Sequence, residues 1–309
     1  MDQGEFLRRL DEINIWRRHG QRAPHKPLLL LLALGRLEQR KERLALYERD
    51  IRGRLHDLLR SFGPPRRSYR PEYPFWHLRS DELWEIPDDD LATIKGGSGT
   101  SPSDRQLVDL AVRGGLPETV YRLLDGNPEL IQRAAQKILD SHFASSLHQP
   151  IRDAVGLLGS FGTSEKVKLR RDPRFRSAVL TAYERRCAVC DFDIRLEDDL
   201  VALDAAHIRW HAAGGPDDVR NGLALCILHH RTLDRGAIGL ERATSGYRLL
   251  VSDVVNGQSD AFRHLLRHNG KRVRNPQRNE QCPDPDFVDW HRREVFRGSP
   301  RQTGNDALS

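Results

Sequence analysis

Apolar positions recur at helical spacing near the start of the chain, at Phe6, Leu10, Ile13 and Trp16, and again over residues 44–59. Between these stretches Pro24 and Pro27 bracket His25-Lys26, and Pro27 is placed to open a helix over 28–38. Leu28 to Leu34 is the longest apolar run, far short of the roughly 20 residues a membrane-spanning helix needs. Residues 63–77 are dense in proline, arginine and aromatic side chains and read as a loop. Alternation over 76–79 and 83–86 predicts a short hairpin turned at Ser80-Asp81. The Gly/Ser-rich segment 95–103 is a loop, and Ser103 can cap a helix over 104–113. Further helices fit 117–124, 128–141 and 175–183, and a strand fits 247–251. The break in patterning at 156–163 divides the chain into 1–160 and 161–309, with disorder expected from about 297. The fold class is therefore α+β, with a mainly helical first domain.

Composition narrows the class. The 309 residues hold two domains, and 38% apolar with 30% charged residues is a soluble globular profile. Residues 1–20 are charged, without an apolar secretory core, so the expected compartment is the cytoplasm. Four cysteines in a chain this long do not make a disulfide framework. Fifty basic against 44 acidic residues gives a net charge of +6, and arginine dominates the basic set. Arginine suits bidentate contact with phosphate and guanine, which tilts the partner toward nucleic acid.

The densest chemistry lies between Cys187 and Asp234. Cys187-x2-Cys190 and Cys226-x2-His229 are two pairs of soft or borderline donors that can close on one tetrahedral Zn2+. Cys282 stands apart as a spare thiol. A second set, His207, Asn221 and His230, is separated by gaps of 14 and nine residues. Asn221-Gly-Leu-Ala-Leu-Cys226 follows a Gly214-Gly215-Pro216-Asp217 loop. This pattern resembles the HNH nuclease module, the ββα-metal fold. The resemblance implies that His207 is the general base, that Asn221 holds the loop and orients it, and that His230 ligates a catalytic divalent ion. On these residues alone His229 and His230 can exchange roles; the nine-residue gap leaves His229 to zinc. Family members commonly place a ligand directly before the base, where this chain has Ala206. Asp234, one helical turn after His230, and Asp204 are the competing carboxylates, although alternation puts Asp204 on the face opposite His207. An O/N donor set suits Mg2+, Mn2+ or a similar ion. Arg209, Arg231 and Arg235 are candidates for phosphate contact, and His211, His264, His268 and His291 read as surface residues.

In the first domain, Ala23-Pro-His-Lys-Pro27 and residues 66–79 resemble the sulfur-binding domain of phosphorothioate-dependent (type IV, McrA-like) restriction endonucleases. The resemblance spans about residues 5–155 and implies binding of double-stranded DNA carrying sulfur at a backbone phosphate. Sulfur is larger and less well hydrated than oxygen, so a shallow apolar cup rewards it. Tyr73, Pro74 and Phe75 are the cup candidates. His25, Lys26, Arg66, Arg67, Arg70, His77 and Arg79 are candidates for charge and base contact, with the 96–103 loop and Arg105 completing the pocket. A double-strand break needs two one-strand sites, hence an expected homodimer on DNA. Two alternatives stand beside this reading: an HNH nuclease directed at methylated cytosine or a fixed sequence, and a zinc-stabilised DNA-binding protein that does not cut.

Overall fold

A computed structural model describes residues 1–13, 21–39, 41–94, 101–157 and 173–302, and these fall into two compact units, Met1–Lys166 and Val167–Ser309. Trp16 and Arg17, residues 95–100 of the glycine-rich loop, most of the 156–163 break and residues 303–309 lie outside the described residues.

The first unit is helical: α1 (Gln3–Asp11), α2 (His25–Glu38), β1 (Leu44–Leu46), α3 (Gly53–Phe62), α4 (Glu72–His77), α5 (Asp88–Ile94), α6 (Asp104–Asp109), β2 (Arg113–Gly115), α7 (Glu118–Leu124), α8 (Pro128–His142) and α9 (His148–Val155). Its centre is α2. Leu28 to Leu34 are all buried, as a helix apolar on every side must be, and α3, α4, α8 and α9 pack around it. A side chain at Gly35 would meet the Val155 carbonyl at 2.0 Å, so glycine is what lets α9 lie so close.

Two expectations change here. The amphipathic stretch 44–59 is not one helix: Leu44–Leu46 pairs antiparallel with Arg113–Gly115, which also ends the helix expected over 104–113 at Asp109. The expected hairpin over 76–86 is absent. Phe75 and Leu78, three residues apart, are both fully buried, and helical spacing satisfies both where alternation would expose one. Residues 72–77 therefore form α4, Leu78–Asp81 continues as a single 3-10 turn, and Glu85 pairs instead with Gly115.

The second unit contains α10 (Pro173–Ala182), β3 (Arg195–Leu196), β4 (Asp199–Leu200), β5 (Leu203–His207), β6 (Gly222–Cys226), α11 (Ile227–Asp234), β7 (Ile238–Arg242), β8 (Tyr247–Val251), α12 (Asp260–Arg267) and α13 (Pro285–Glu294). β5 and β6 form an antiparallel pair with His207 opposite Gly222 and Leu203 opposite Cys226. β6 is buried at all five positions and reads as a continuous apolar run. α10 and α11 pack on the two strands, which completes a ββα unit. The segment after 297, expected to be disordered, is held through residue 301: Arg297 donates to the Gly236 carbonyl and Arg301 to that of Val251. Among the described residues no helix is long and apolar enough to cross a membrane.

Candidate active site and metal centre

The four predicted zinc donors come together. Cys187 and Cys190 lie on a tight turn after α10, closed by Asp191 N–H to the Cys187 carbonyl and tied to β6 by Ala188 N–H to the Ala224 carbonyl. Cys226 ends β6 and is the N-cap of α11, and His229 lies in that helix's first turn. The Cys190 and Cys226 sulfurs are 3.9 Å apart, and His229 Nδ1 is 3.2 Å from Cys226 Sγ and 3.6 Å from Cys187 Sγ. A tetrahedron with Zn–S near 2.3 Å has edges of about 3.8 Å between sulfurs, so the chemistry and the spacing of the donor set suit this ion. Hydrogen bonds from the thiols of Cys187 and Cys190, together with the backbone N–H groups of Leu228 and His229, hold the Cys226 thiol far below its ordinary range. A metal ligand needs that thiolate. His229, fully buried, faces this cluster, while His230 does not belong to it.

The candidate catalytic residues follow the strand pair. His207 ends β5 with 7% of its surface exposed and stacks on Phe175, ring centroids 4.1 Å apart. Its Nε2 lies 2.7 Å from Asp217 Oδ1. Asp217 was not singled out from sequence beyond its place in the Gly-Gly-Pro-Asp loop; an acidic residue ten positions after a candidate base was the available signal. Asn221 is fully buried and works as a staple. Its Oδ1 accepts from Arg209 N–H at 2.8 Å, and its Nδ2 donates to the carbonyls of Arg209 and Pro216. The loop that carries Asp217 is thereby fixed against the residues that follow His207. A side chain at Gly215 would sit 1.9 Å from the Arg209 carbonyl and 2.8 Å from Asn221 Nδ2, which explains glycine there.

His230 and Asp234 face each other across one turn of α11, Nε2 to Oδ2 3.5 Å, with Asp234 buried. One N and one O donor on a rigid helix suit a hard divalent ion that keeps waters and takes its other ligands from phosphate. Asp204 is engaged elsewhere. It is the one exposed-facing position of β5, and its Oδ1 accepts from Arg176 Nε at 2.8 Å. Arg209, a candidate for phosphate contact, donates from its guanidinium to the Ala213 carbonyl and braces the loop. Arg231 and Arg235 are exposed. His291 is buried and bonds the Leu233 carbonyl through Nε2 at 2.9 Å, so it is a core histidine. His264 and His268 are half-buried and gather on His229. His211 is exposed, 6.0 Å from the His207 ring.

In the first unit, one turn of α4 sorts its residues by face. Tyr73 and His77 point outward, their rings 6.1 Å apart, while Pro74 and Phe75 are buried. Phe75 belongs to the core, its ring 4.8 Å from Tyr47 and 5.5 Å from Trp84. Of the expected Tyr-Pro-Phe cup, only the Tyr73 ring is presented to solvent, at 44% exposure. Arg70 lies over that ring at 5.0 Å and bonds its hydroxyl, and Arg79 stacks on half-buried Trp76 at 3.7 Å. Arg66 and Arg67 are exposed on the preceding loop. Lys26 is paired with buried Asp81 at 2.6 Å, and Ser101 Oγ lies 3.0 Å from His77 Nε2.

His25 is not a cation. Burial, reinforced by the positive charges of Arg66 and Arg22, pulls its pKa down to about 4. Burial, then Lys26 and Arg79, lowers His77 as well. A neutral imidazole can read a base edge but cannot neutralise a phosphate. The depressed pKa also makes a stability prediction. The unfolded chain takes up a proton near pH 6.5, whereas the folded chain resists until about pH 4, so His25 contributes stability above that window that is lost as pH falls through it. At about 1.4 kcal/mol per pH unit, trimmed for partial exposure, the loss by pH 4.5 is on the order of 2 kcal/mol. Urea unfolding of His25→Gln at pH 7 and pH 4.5 should show a flatter pH dependence than the native chain; an identical slope would refute the assignment.

Comparison with known proteins follows the same division. The family model for the ScoMcrA-like DNA sulfur-binding domain matches residues 3–160, and that for the HNH endonuclease matches 187–241. No curated protein matches the chain. Among solved structures, the sulfur binding domain of ScoMcrA complexed with phosphorothioated DNA is 26% identical, with 49% of this chain and 95% of that one covered and a TM-score of 0.41. The corresponding SprMcrA domain is 24% identical over 51% and 95%, TM-score 0.41. The type IV phosphorothioation-dependent restriction endonuclease ScoMcrA is 26% identical, TM-score 0.40, but only 32% of its length is covered. The match over 3–160 takes in slightly more than half of the 309 residues. The chain thus belongs to the ScoMcrA-like DNA sulfur-binding family and carries an HNH endonuclease domain.

Proposed function

We propose that this protein is a modification-dependent restriction endonuclease: its first domain, residues 1–160, binds phosphorothioated double-stranded DNA, and its second, 161–309, hydrolyses phosphodiester bonds nearby. The observation that carries this reading is the union, on one chain, of a sulfur-binding family domain with an HNH domain whose His207 is bonded to Asp217. The Tyr73 ring supplies the apolar face for sulfur. Lys26, Arg66, Arg67, Arg70 and Arg79 supply positive charge along the backbone, and neutral His25 and His77 hydrogen-bond to bases or sugar.

In the second domain, Asp217 Oδ1 lies within hydrogen-bond distance of His207 Nε2 and so orients the imidazole that acts as the general base. His207 then takes a proton from water as its oxygen adds to phosphorus. Asp217 stabilises the imidazolium that results. The P–O bond to the leaving oxygen breaks, and that oxygen is protonated from solvent. His230 and Asp234 would hold a Mg2+- or Mn2+-like ion, which when bound supplies charge stabilisation on the phosphate and the leaving oxygen. Cys187, Cys190, Cys226 and His229 hold a structural zinc. Cutting both strands takes two such sites, so the active form is a dimer on DNA.

The test is a pair of duplexes that differ by one phosphorothioate. The native chain should bind the modified duplex at least about tenfold more tightly, roughly 1.4 kcal/mol. Tyr73→Ala should bring that ratio close to one while sparing affinity for plain DNA, which the arginines carry. Equal binding of both duplexes by the native chain would leave the nuclease with a different target.

A further inference from the structure

His229 is a histidine with two sides. Nδ1 faces the three cysteines, whereas Nε2 is buried and has no hydrogen-bond partner among the described residues. A neutral imidazole that ligates metal through Nδ1 carries its proton on Nε2. That proton is a donor, and a buried donor without an acceptor is costly. Metal-bound histidines nearly always give it to a carboxylate, a carbonyl or water. Here the surroundings are different. The rings of His264 and His268, one helical turn apart at the end of α12, each lie 5.9 Å from the His229 ring and 4.9 Å from one another. Leu265, between them in sequence, is buried in the core, which anchors that part of α12 against the ββα unit. The sequence alone reads both histidines as surface residues, yet both are half-buried beside the donor cluster.

We propose that His264 and His268 back the zinc knot: once the ion is held, a small turn of these rings brings a nitrogen of the pair to accept the Nε2 proton of His229 and so fixes that ligand's tautomer and orientation. The proposal rests on the zinc reading of Cys187, Cys190, Cys226 and His229. The pair are positioning residues, acting through His229 rather than on the ion. A three-histidine relay of this kind ties metal retention to α12, an element outside the ββα unit. Three cysteines with neutral imidazole would make the knot anionic, and a second imidazole polarised toward Nε2–H strengthens Nδ1 as a donor.

The experiment uses the full chain as purified and measures zinc transfer to a chromophoric chelator, with metal content determined first. Replacing both residues by phenylalanine (His264→Phe with His268→Phe) keeps ring bulk and removes the acceptors. Zinc affinity should fall about 10–100-fold. The matching pair of glutamine substitutions restores a side-chain carbonyl and should recover most of it, and Arg267→Ala, an exposed neighbour on α12, should change nothing. Native zinc retention by the phenylalanine pair would overturn the proposal. So would a glutamine pair as weak as the phenylalanine pair, which would assign the effect to packing alone. A native chain that contains no zinc would fail at the first measurement and remove the knot itself, an outcome distinct from either.

Discussion

Replacing His207 by alanine is expected to slow DNA cleavage by about 10²–10⁴-fold, the usual worth of a positioned general base, with DNA affinity nearly unchanged. The affinity is expected to survive because the proposed DNA-reading residues lie in the first unit, whereas His207 ends β5 in the second. His207 stacks on Phe175, so its removal also opens a small gap in the core. His207→Gln fills most of that gap and should be just as inactive, which separates lost chemistry from lost packing. Asp217→Asn should give a smaller loss, because an amide in place of the carboxylate keeps the contact with the ring but no longer stabilises the imidazolium. Cleavage by His207→Ala within tenfold of native would show that another group activates water.

Stripping zinc from the chain is expected to unfold the second unit while the first keeps its helical signal. Apparent binding energies of structural zinc in small domains are about 10–16 kcal/mol, at or above the whole stability of most domains. The effect should be large here because the donors sit at joints. Cys226 is at once the last residue of β6 and the cap of α11, and the Cys187–Cys190 turn is bonded to β6 at Ala224. Without the ion, clustered thiols and a buried imidazole replace a satisfied site. Metal analysis should find about one tightly held zinc per chain. Chelation should abolish the cooperative melting of the second unit, and readdition should restore it. An apo chain with an unchanged melting curve would reduce the cluster to four adjacent side chains.

What could be read in the sequence was the chemistry set by spacing. The cysteine pairs, the placement of His229 with them, the helix ending at Glu38 and the strand at Tyr247–Val251 all depend on short-range periodicity, which the chain carries locally. What could not be read depends on distant partners. Residues 44–46 become a strand only because Arg113–Gly115 lies beside them. Phe75 leaves the expected cup because Tyr47 and Trp84 form a core around it. Asp204 and Arg209, polar and close to His207 in sequence, are occupied by Arg176 and by the Ala213 carbonyl. Asp217 and the His264/His268 pair were missed for the same reason: nothing in their own neighbourhood along the chain shows which ring they meet.

The double position of Cys226 bears on how a DNA-cutting enzyme is made safely inside the cell that encodes it. His207 stands on β5, which pairs with β6, and β6 meets the helix of His230 and Asp234 at Cys226, so on the zinc reading all three side chains are brought together by one joint that the ion would hold. Competence to cut would then arrive in one step, when the metal is captured, rather than gradually as the chain is made. On that reading zinc supply, and not translation alone, would set how much competent nuclease is present.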